Sequence, residues 1–271
     1  PGGPVSHAKA WKEMTHRYFA STLGLLIVII GVWSWRKRAV FSQGLGLPLF
    51  LIAFVILQGL FGMWTVTLKL TPWVVTAHLL GGMTTFMLLV WLFRRQHATR
   101  LQFSAQASAA LRVHAVIALM AVFAQIALGG WVSSNYAALA CTDFPTCHGS
   151  WWPTMDVQQG FEIFRPLGTN GQGELLSLQA LTAIHWAHRL GALLILLIVG
   201  GLALRLMRLA ELRRFAVTLL VLLLVQISLG ILNVLLSLPL PIAVAHNGVA
   251  ALLLAALAVL NFNLKIAQTR T

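Results

Sequence analysis

The chain has 271 residues, of which 59% are hydrophobic and only 9% are charged, and its formal net charge is +13. Soluble domains carry roughly 25% charged residues, so this composition excludes an ordinary soluble protein and indicates a polytopic membrane protein. A nucleic-acid-binding role is also excluded, because the basic residues fall in short clusters between apolar runs.

Seven apolar runs are long enough to cross the hydrocarbon layer as α-helices. The predicted spans cover about residues 16–35, 47–67, 75–93, 113–133, 184–204, 215–235 and 244–264. Most of the 19 Lys and Arg residues follow the first, third, fifth and seventh spans, and the positive-inside rule places those ends in the cytoplasm. We therefore expect a bacterial inner-membrane protein whose N-terminal tail and long 134–183 loop lie outside.

The second half of the chain repeats landmarks of the first half. These are THRYFASTLGLLIVII at 15–30 with AHRLGALLILLIVG at 187–200, QGLFG at 58–62 with QISLG at 226–230, and AHLLGG at 77–82 with AHNGVA at 245–250. The second half has one extra span before its His-Arg helix, so the repeat predicts four spans per half and a first span that this chain lacks. Such halves share one orientation, which predicts two four-helix bundles related by a pseudo-twofold axis along the membrane normal.

This repeat divides the chain into three predicted parts. Residues 1–15 are expected to be the remnant of an outer loop, and residues 16–100 form an N-terminal half with three spans. Residues 101–271 form a C-terminal half with four spans and the outer loop 134–183. The predicted fold class is accordingly all-α.

The two cysteines, Cys141 and Cys147, lie in the outer loop within ACTDFPTCHG. A C-x5-C pair in an extracytoplasmic loop favours a disulfide in an oxidising compartment. Zinc is the alternative, because His148 is adjacent and Asp143 lies between the cysteines, but the ligand set is incomplete. Two free structural thiols are a third and weaker interpretation.

Four histidines occupy equivalent positions in the repeat. His16, His78, His188 and His246 each begin a span that runs from outside to inside, so we expect one pair per half near the outer face. A single histidine in a membrane helix is often a hydrogen-bonded packing residue. Two symmetric pairs instead favour axial ligation of haem iron between facing helices. A two-histidine zinc site would need further ligands that these helices do not supply.

An arginine directly follows one histidine of each pair. Arg17 follows His16, and Arg189 follows His188. A long arginine side chain near the interface can extend to the lipid headgroups. The other interpretation is that each guanidinium pairs with a haem propionate, which suits its two-pronged geometry.

The two halves differ one helical turn before these histidines. Glu13 lies three residues before His16, whereas His185 lies three residues before His188. A carboxylate beside a haem can move protons, and a neutral imidazole in the same place indicates a site that only holds its cofactor. Alternatively, Glu13 is a charge favoured by the helix dipole and His185 is an interfacial residue.

Five motifs together resemble the haem A synthase family, and the resemblance covers essentially the whole chain. They are E-M-x-H-R at 13–17, A-H-L-x-G-G at 77–82, GGWVSSNYAALACTDFPTCHGSWWP at 129–153, H-W-A-H-R at 185–189 and A-H-N at 245–247. The loop and the E-x-x-H-R element are the most specific parts. The sequence departs from the family at its N-terminus, where the first helix and most of the first outer loop are absent.

The resemblance implies an eight-helix enzyme that oxidises the C8 methyl of haem O to a formyl group, making haem A for cytochrome oxidase. It implies that His16 and His78 face the substrate haem O in the first half, with Glu13 as the catalytic carboxylate. It implies that His188 and His246 ligate a permanent haem b in the second half. It also implies a disulfide between the two outer-loop cysteines.

The implied reaction passes through an alcohol to a gem-diol that loses water, and both oxidations remove electrons. We therefore expect a redox partner of unknown identity, and haem O delivered by a haem O synthase. The main alternative is a non-catalytic dihaem cytochrome b that transfers electrons, although transfer across the membrane favours haems at two depths. A haem or small-molecule transporter with a parallel repeat explains Glu13 and the paired histidines less well.

Overall fold

The computed structural model describes residues 7–39, 44–96 and 105–268, and no β-strand forms within these ranges. The long helices are α1 (His7–Arg36), α2 (Gly46–Thr67), α3 (Pro72–Gln96), α4 (Ala105–Ser134), α6 (Leu178–Leu206), α7 (Arg213–Leu235) and α8 (Leu240–Gln268). A short helix, α5 (Val157–Gly160), lies in the outer loop, and two 3₁₀ turns cover Ala137–Leu139 and Ala210–Leu212.

All seven long helices of the described residues are long and apolar enough to cross a membrane, so the predicted all-α polytopic membrane class is confirmed. Several helices extend beyond the predicted apolar spans. Helix α1 begins at His7 rather than near residue 16, and it therefore includes Glu13 and His16 in one continuous helix. Helices commonly continue past the hydrocarbon layer, because the polar residues there still satisfy their backbone within the helix.

The chain divides into two compact units, Pro1–Leu60 and Phe61–Thr271. In the first unit, α1 and the first part of α2 pack closely through glycine. A Cβ at Gly31 would overlap the Ile52 side chain, and one at Gly24 would lie 3.8 Å from Val55 Cγ2. Small residues allow membrane helices to approach each other in this way.

In the second unit, four helices form a closed ring. Helix α4 packs against α6 and α8, and α7 packs against the same two helices. This order places α6 opposite α8 across the bundle. A leucine-rich core, which includes Leu202, Leu206, Leu219 and Leu257, fills the bundle interior.

Helix α3 packs on the outside of this ring, against α4 and α8. A Cβ at Gly130 would lie 3.0 Å from Leu79 Cδ2, and the hydroxyls of Thr76 and Ser134 are 3.2 Å apart. At the other end, Arg94 donates a hydrogen bond of 3.1 Å to Asn263 Oδ1 on α8. Polar contacts thus fix both ends of α3 on the bundle.

The outer loop is built around Arg165, which is 2% exposed. Its guanidinium donates to the carbonyls of Glu162 and Thr169, both at 3.1 Å, and to Asn135 Oδ1 at 2.6 Å. It also lies over the Trp131 ring, 5.8 Å from the centroid. These contacts join the loop to the end of α4.

A second connection joins the loop to the start of α6. The Trp131 indole donates to the carbonyl of Gly160 at 2.9 Å, and a Cβ at Gly160 would lie 2.7 Å from the carbonyl oxygen of Ala180. Ser177 caps α6, since its hydroxyl accepts from the Ala180 N–H at 3.1 Å. The first turns of α6, which carry three of the predicted site residues, are therefore anchored by the loop.

Replacement of Arg165 tests this anchoring. In Arg165→Met, Asn135 and two carbonyls lose a charged donor, and each buried group left unpaired costs roughly 1–3 kcal/mol. We expect a lower Tm of the detergent-solubilised protein, with the membrane helices retained by circular dichroism. Arg208→Met, at an exposed position, is the matched control, and an equal Tm for the two variants would contradict the anchoring role.

Candidate functional site

The second unit contains two of the predicted histidine ligands, His188 on α6 and His246 on α8. Because α6 and α8 lie opposite each other in the ring, the two side chains belong to facing helices. Both side chains are half-buried, and both lie in the first half of their helices, counted from the N-terminal end. The structure therefore brings this predicted pair to one bundle.

His188 is held by two residues of α4. Gln125 Nε2 lies 3.1 Å from His188 Nδ1 and donates at 2.9 Å to the backbone carbonyl of the same residue. A Cβ at Gly129 would lie 3.2 Å from His188 Cε1, so the imidazole rests on bare backbone. Gln125 and Gly129 are four residues apart and share one face of the helix.

His246 is held by a glutamine and a glycine of α7, but the glutamine contacts the other ring nitrogen. Gln226 Nε2 lies 3.2 Å from His246 Nε2, and a Cβ at Gly230 would lie 3.1 Å from His246 Cε1. The other ring nitrogen, Nδ1, is buried with no hydrogen-bond partner, and so is Gln226 Oε1. Each ligand candidate is thus contacted by a glutamine and a glycine of one neighbouring helix, although the two glutamines contact different ring nitrogens.

These residues fit an axially ligated haem. A buried imidazole nitrogen without a hydrogen-bond partner can offer its lone pair to a metal ion. The glycines let the imidazole rings lie directly against the helix backbone. Among the described residues, no group of three or more His, Cys, Asp or Glu side chains is placed to hold a metal ion. A macrocycle that supplies its own equatorial nitrogens needs only the two histidines.

The glutamines and the glycine of α4 were not identified as site residues from the sequence. The signal was present, because QIALG at 125–129 differs from QISLG at 226–230 at one position. The comparison of the two halves paired QISLG only with QGLFG at 58–62. A search for the pattern Q-x-x-x-G before each histidine helix finds all three copies.

His185 is buried at 5% exposure and contacts the disulfide loop. Its Nδ1 accepts from the backbone N–H of Cys141 at 3.4 Å. Cys141 and Cys147 form the predicted disulfide, which excludes the alternative of a zinc thiolate site. Trp186 packs against this pair of cysteines, so the start of α6 and the loop share a small core.

Arg189 also binds the disulfide loop. Its Nη atoms donate to three backbone carbonyls, those of Thr146 at 2.8 Å, Cys141 at 3.1 Å and Asp143 at 2.9 Å. Its Nε is buried without a hydrogen-bond partner. The guanidinium therefore holds the loop against α6, one residue after His188.

The Asp143 carboxylate accepts hydrogen bonds from other residues of the disulfide loop. It accepts from the Thr146 hydroxyl at 2.6 Å and from the backbone N–H groups of His148 at 2.8 Å and Gly149 at 3.0 Å. These hydrogen bonds, with that from Thr146 as the largest cause, hold the pKa of the Asp143 carboxyl well below its usual range. The carboxylate is thus charged at any physiological pH.

The predicted first-half residues lie in two different units. Glu13, His16 and Arg17 are exposed on α1 in the first unit, where Arg17 Nη2 and Glu13 Oε1 form an ion pair of 2.5 Å. His78 is half-buried on α3 in the second unit, and a Cβ at Gly62 would lie 3.1 Å from its Cε1. This contact matches that of Gly230 with His246.

Known proteins resemble the chain along most of its length. The family of cytochrome oxidase assembly proteins designated COX15-CtaA matches residues 4–258. A protein of Shewanella oneidensis named Heme A synthase is 41% identical over 262 residues, which are 97% of this chain and 78% of that protein. A protein of the same name from Bradyrhizobium sp. is 30% identical over 90% of this chain and 67% of its own length.

A more distant relative is matched over a shorter region. Heme A synthase of Halalkalibacterium halodurans is 26% identical over 181 residues, which are 65% of this chain and 59% of that protein. The matched part of the chain therefore spans less than two thirds of the length of this relative.

The Asp143 carboxylate gives a pH-dependent prediction. Because folding lowers its pKa, its stabilisation is fully present above the unfolded pKa of about 4 and is lost as the pH falls below it. We expect Asp143→Asn to lower the Tm at pH 7 and the difference from the wild type to shrink below about pH 4. Glu211→Gln, at an exposed position outside this loop, is the control, and a Tm difference that grows in acid would contradict the prediction.

Proposed function

Because the chain belongs to the COX15-CtaA family of cytochrome oxidase assembly proteins, we propose that it is a haem A synthase that oxidises the C8 methyl of haem O to a formyl group. The observation that carries this proposal is the 41% identity over 97% of the chain to a protein named Heme A synthase. The pair of histidines on facing helices of one bundle adds an independent structural argument.

In this proposal, haem b binds in the ring of α4, α6, α7 and α8. His188 and His246 would hold the haem iron, and bound haem would supply one-electron redox chemistry at this place. The residues of the chain position the two rings and exclude water. The rest of the bundle interior, filled with leucines, gives a low-polarity surrounding for a macrocycle.

The substrate haem O is assigned to His16 and His78 by their place in the repeat. Glu13 is the proposed catalytic carboxylate, which takes protons from the methyl carbon or its oxygen as electrons are removed. It forms an ion pair with Arg17 and lies about one helical turn from His16. Arg17 is the proposed partner of a substrate propionate.

Pairing of Arg189 with a haem b propionate would require the loss of an existing hydrogen bond. The Arg189 Nη atoms already donate to three loop carbonyls, so a haem b propionate would have to replace one of them. His185 takes the position equivalent to Glu13 and is engaged with the Cys141 N–H. This contrast supports a holding site in the second half and a reacting site in the first.

The proposed reaction needs partners that the chain does not supply. Written with water as the oxygen donor, the methyl group gains one hydroxyl in each of two oxidations, and each oxidation releases two protons and passes two electrons to an acceptor. The resulting gem-diol loses water to give the aldehyde. Haem O is the substrate, and a haem O synthase is the proposed source. The protein would act in the bacterial inner membrane, with the 134–183 loop outside.

The proposed repeat of residues 16–100 and 101–271 has support within the second unit. A Cβ added at Gly62 would lie 3.1 Å from His78 Cε1, and a Cβ added at Gly230 would lie 3.1 Å from His246 Cε1. The two contacts occur at equivalent places in the sequence. A duplicated four-helix half explains why the same contact occurs twice.

The central test is conversion of haem O by the purified full chain. We expect Glu13→Gln to keep haem b and to lose formation of haem A, because the amide cannot take up a proton. Pigment extraction and separation of haems before and after turnover measure both quantities. Glu211→Gln is the matched control, and normal turnover in Glu13→Gln would overturn the catalytic assignment.

Removal of a ligand tests the haem b site separately. We expect His246→Ala to lose haem b, seen as loss of the reduced-minus-oxidised α-band, whereas His7→Ala on an exposed part of α1 retains it. If the wild type holds haem but converts no haem O under oxidising or reducing conditions, the protein is instead a non-catalytic dihaem cytochrome b.

A further inference from the structure

We infer that Gln125 and Gln226 are positioning residues that orient the two haem-ligating histidines and determine which ring nitrogen is left for iron. This inference rests on the proposed haem b site. It concerns residues that do not touch the metal but control the groups that do. Each ligand candidate is contacted by one glutamine and one glycine. These residues belong to α4 and α7, the two helices that alternate with α6 and α8 in the ring.

The Gln125 amide defines the proton position on His188. An amide NH2 group only donates, so the two hydrogens of Gln125 Nε2 serve the His188 carbonyl at 2.9 Å and His188 Nδ1 at 3.1 Å. With Nδ1 accepting, the ring proton lies on Nε2. Nε2 is then the nitrogen that faces a ligand, and it must release this proton before its lone pair can bind iron.

An amide suits both states of this ring. When iron binds Nε2 of a neutral imidazole, the proton resides on Nδ1, which then needs an acceptor. Rotation of the terminal Gln125 torsion exchanges Nε2 for Oε1 and gives up the hydrogen bond to the His188 carbonyl. This torsion has a broad, roughly two-fold profile. The amide thus donates to the empty ligand and accepts from the loaded one, which neither leucine nor a carboxylate can do.

Gly191 leaves the space in which this amide lies. A Cβ at Gly191 would overlap Gln125 Oε1, whereas Gly129 is the residue against the ring of His188 itself. Gly191 therefore leaves space for the Gln125 amide, whereas Gly129 leaves space for the His188 ring. Substitution of Gly191 moves the amide without pressing on the imidazole.

Gln226 also contacts its histidine through the amide nitrogen, but at the opposite ring nitrogen, and unpaired atoms lie beside this contact. Its Nε2 lies 3.2 Å from His246 Nε2, while its own Oε1 and His246 Nδ1 are both buried without partners. Buried polar atoms are normally paired, so two such atoms on one contact pair need an explanation. Occupation of one ring nitrogen by iron, with the amide on the other, accounts for both.

The test uses the full chain purified with its haem b, in the variants Gln125→Leu, Gln226→Leu and Gln125→Glu. We expect each leucine variant to lose haem to an excess of a haem-scavenging protein about 10–100-fold faster than the wild type. Their ferric low-spin EPR g-values should also shift, because the ligand rings are no longer fixed. Gln125→Glu should retain haem and lower the midpoint potential, because a carboxylate that accepts from Nδ1–H stabilises ferric iron.

Two further variants distinguish loss of ligand positioning from a general loss of folding. Gly191→Ala should reproduce the EPR shift of Gln125→Leu, and it keeps the test open if the leucine variant does not assemble. Ser228→Ala, at an exposed position two residues after Gln226, should match the wild type in haem loss, g-values and potential.

The outcomes distinguish this inference from the proposed function. If His188→Ala and His246→Ala abolish the haem signal while all glutamine variants match the wild type, the positioning role is wrong and the haem site stands. If the wild type binds no haem, the proposed site fails instead. In haem-free protein, ¹⁵N-histidine NMR should then still show His188 with its proton on Nε2, and an unchanged spectrum in Gln125→Leu would overturn the positioning role.

Discussion

The contact of an imidazole ring with the bare backbone of a glycine determines much of this structure. Membrane helices gain no hydrophobic free energy from association with each other, so close packing and hydrogen bonds must hold them together. At Gly129 the missing side chain lets the His188 ring lie on α4, and at Gly230 it lets the His246 ring lie on α7. Each contact sets a helix spacing and a ring orientation together, so the architecture and the candidate site cannot be varied independently.

The polar groups of the second unit are distributed unequally along the bundle. One part of the interior is a core of leucines, and the part near the outer loop holds both histidines and both glutamines. A buried polar group in a bilayer must find its partner within the protein. The loop built around Arg165 and the disulfide closes the polar part, because Arg189 and His185 bind its backbone rather than exposing their own polar atoms to lipid.

Hydropathy alone predicted the seven spans, because length and apolar composition decide which segments cross a bilayer. The disulfide was also predictable, from the spacing of the cysteines and from the predicted location of their loop. The partners of Arg189 were not, because the three carbonyls that it binds lie more than forty residues earlier in the chain. Gln125 was not predicted because the comparison of the two halves pairs equivalent helices, whereas its pattern recurs on α4 and α7, which lie opposite each other within one half.

The burial of His185 has a consequence for how the two halves differ. The His185 imidazole accepts a hydrogen bond from the backbone N–H of Cys141, a disulfide cysteine, in a place that is 5% exposed. A carboxylate there would have to be desolvated, whereas Glu13 is exposed on α1, in an ion pair with Arg17. A glutamate in place of His185 would therefore cost more desolvation free energy than Glu13 does at its own position. If the proposed roles of the two halves hold, a carboxylate introduced at position 185 would carry a desolvation cost that Glu13 does not, so this single exchange would not give two equivalent sites.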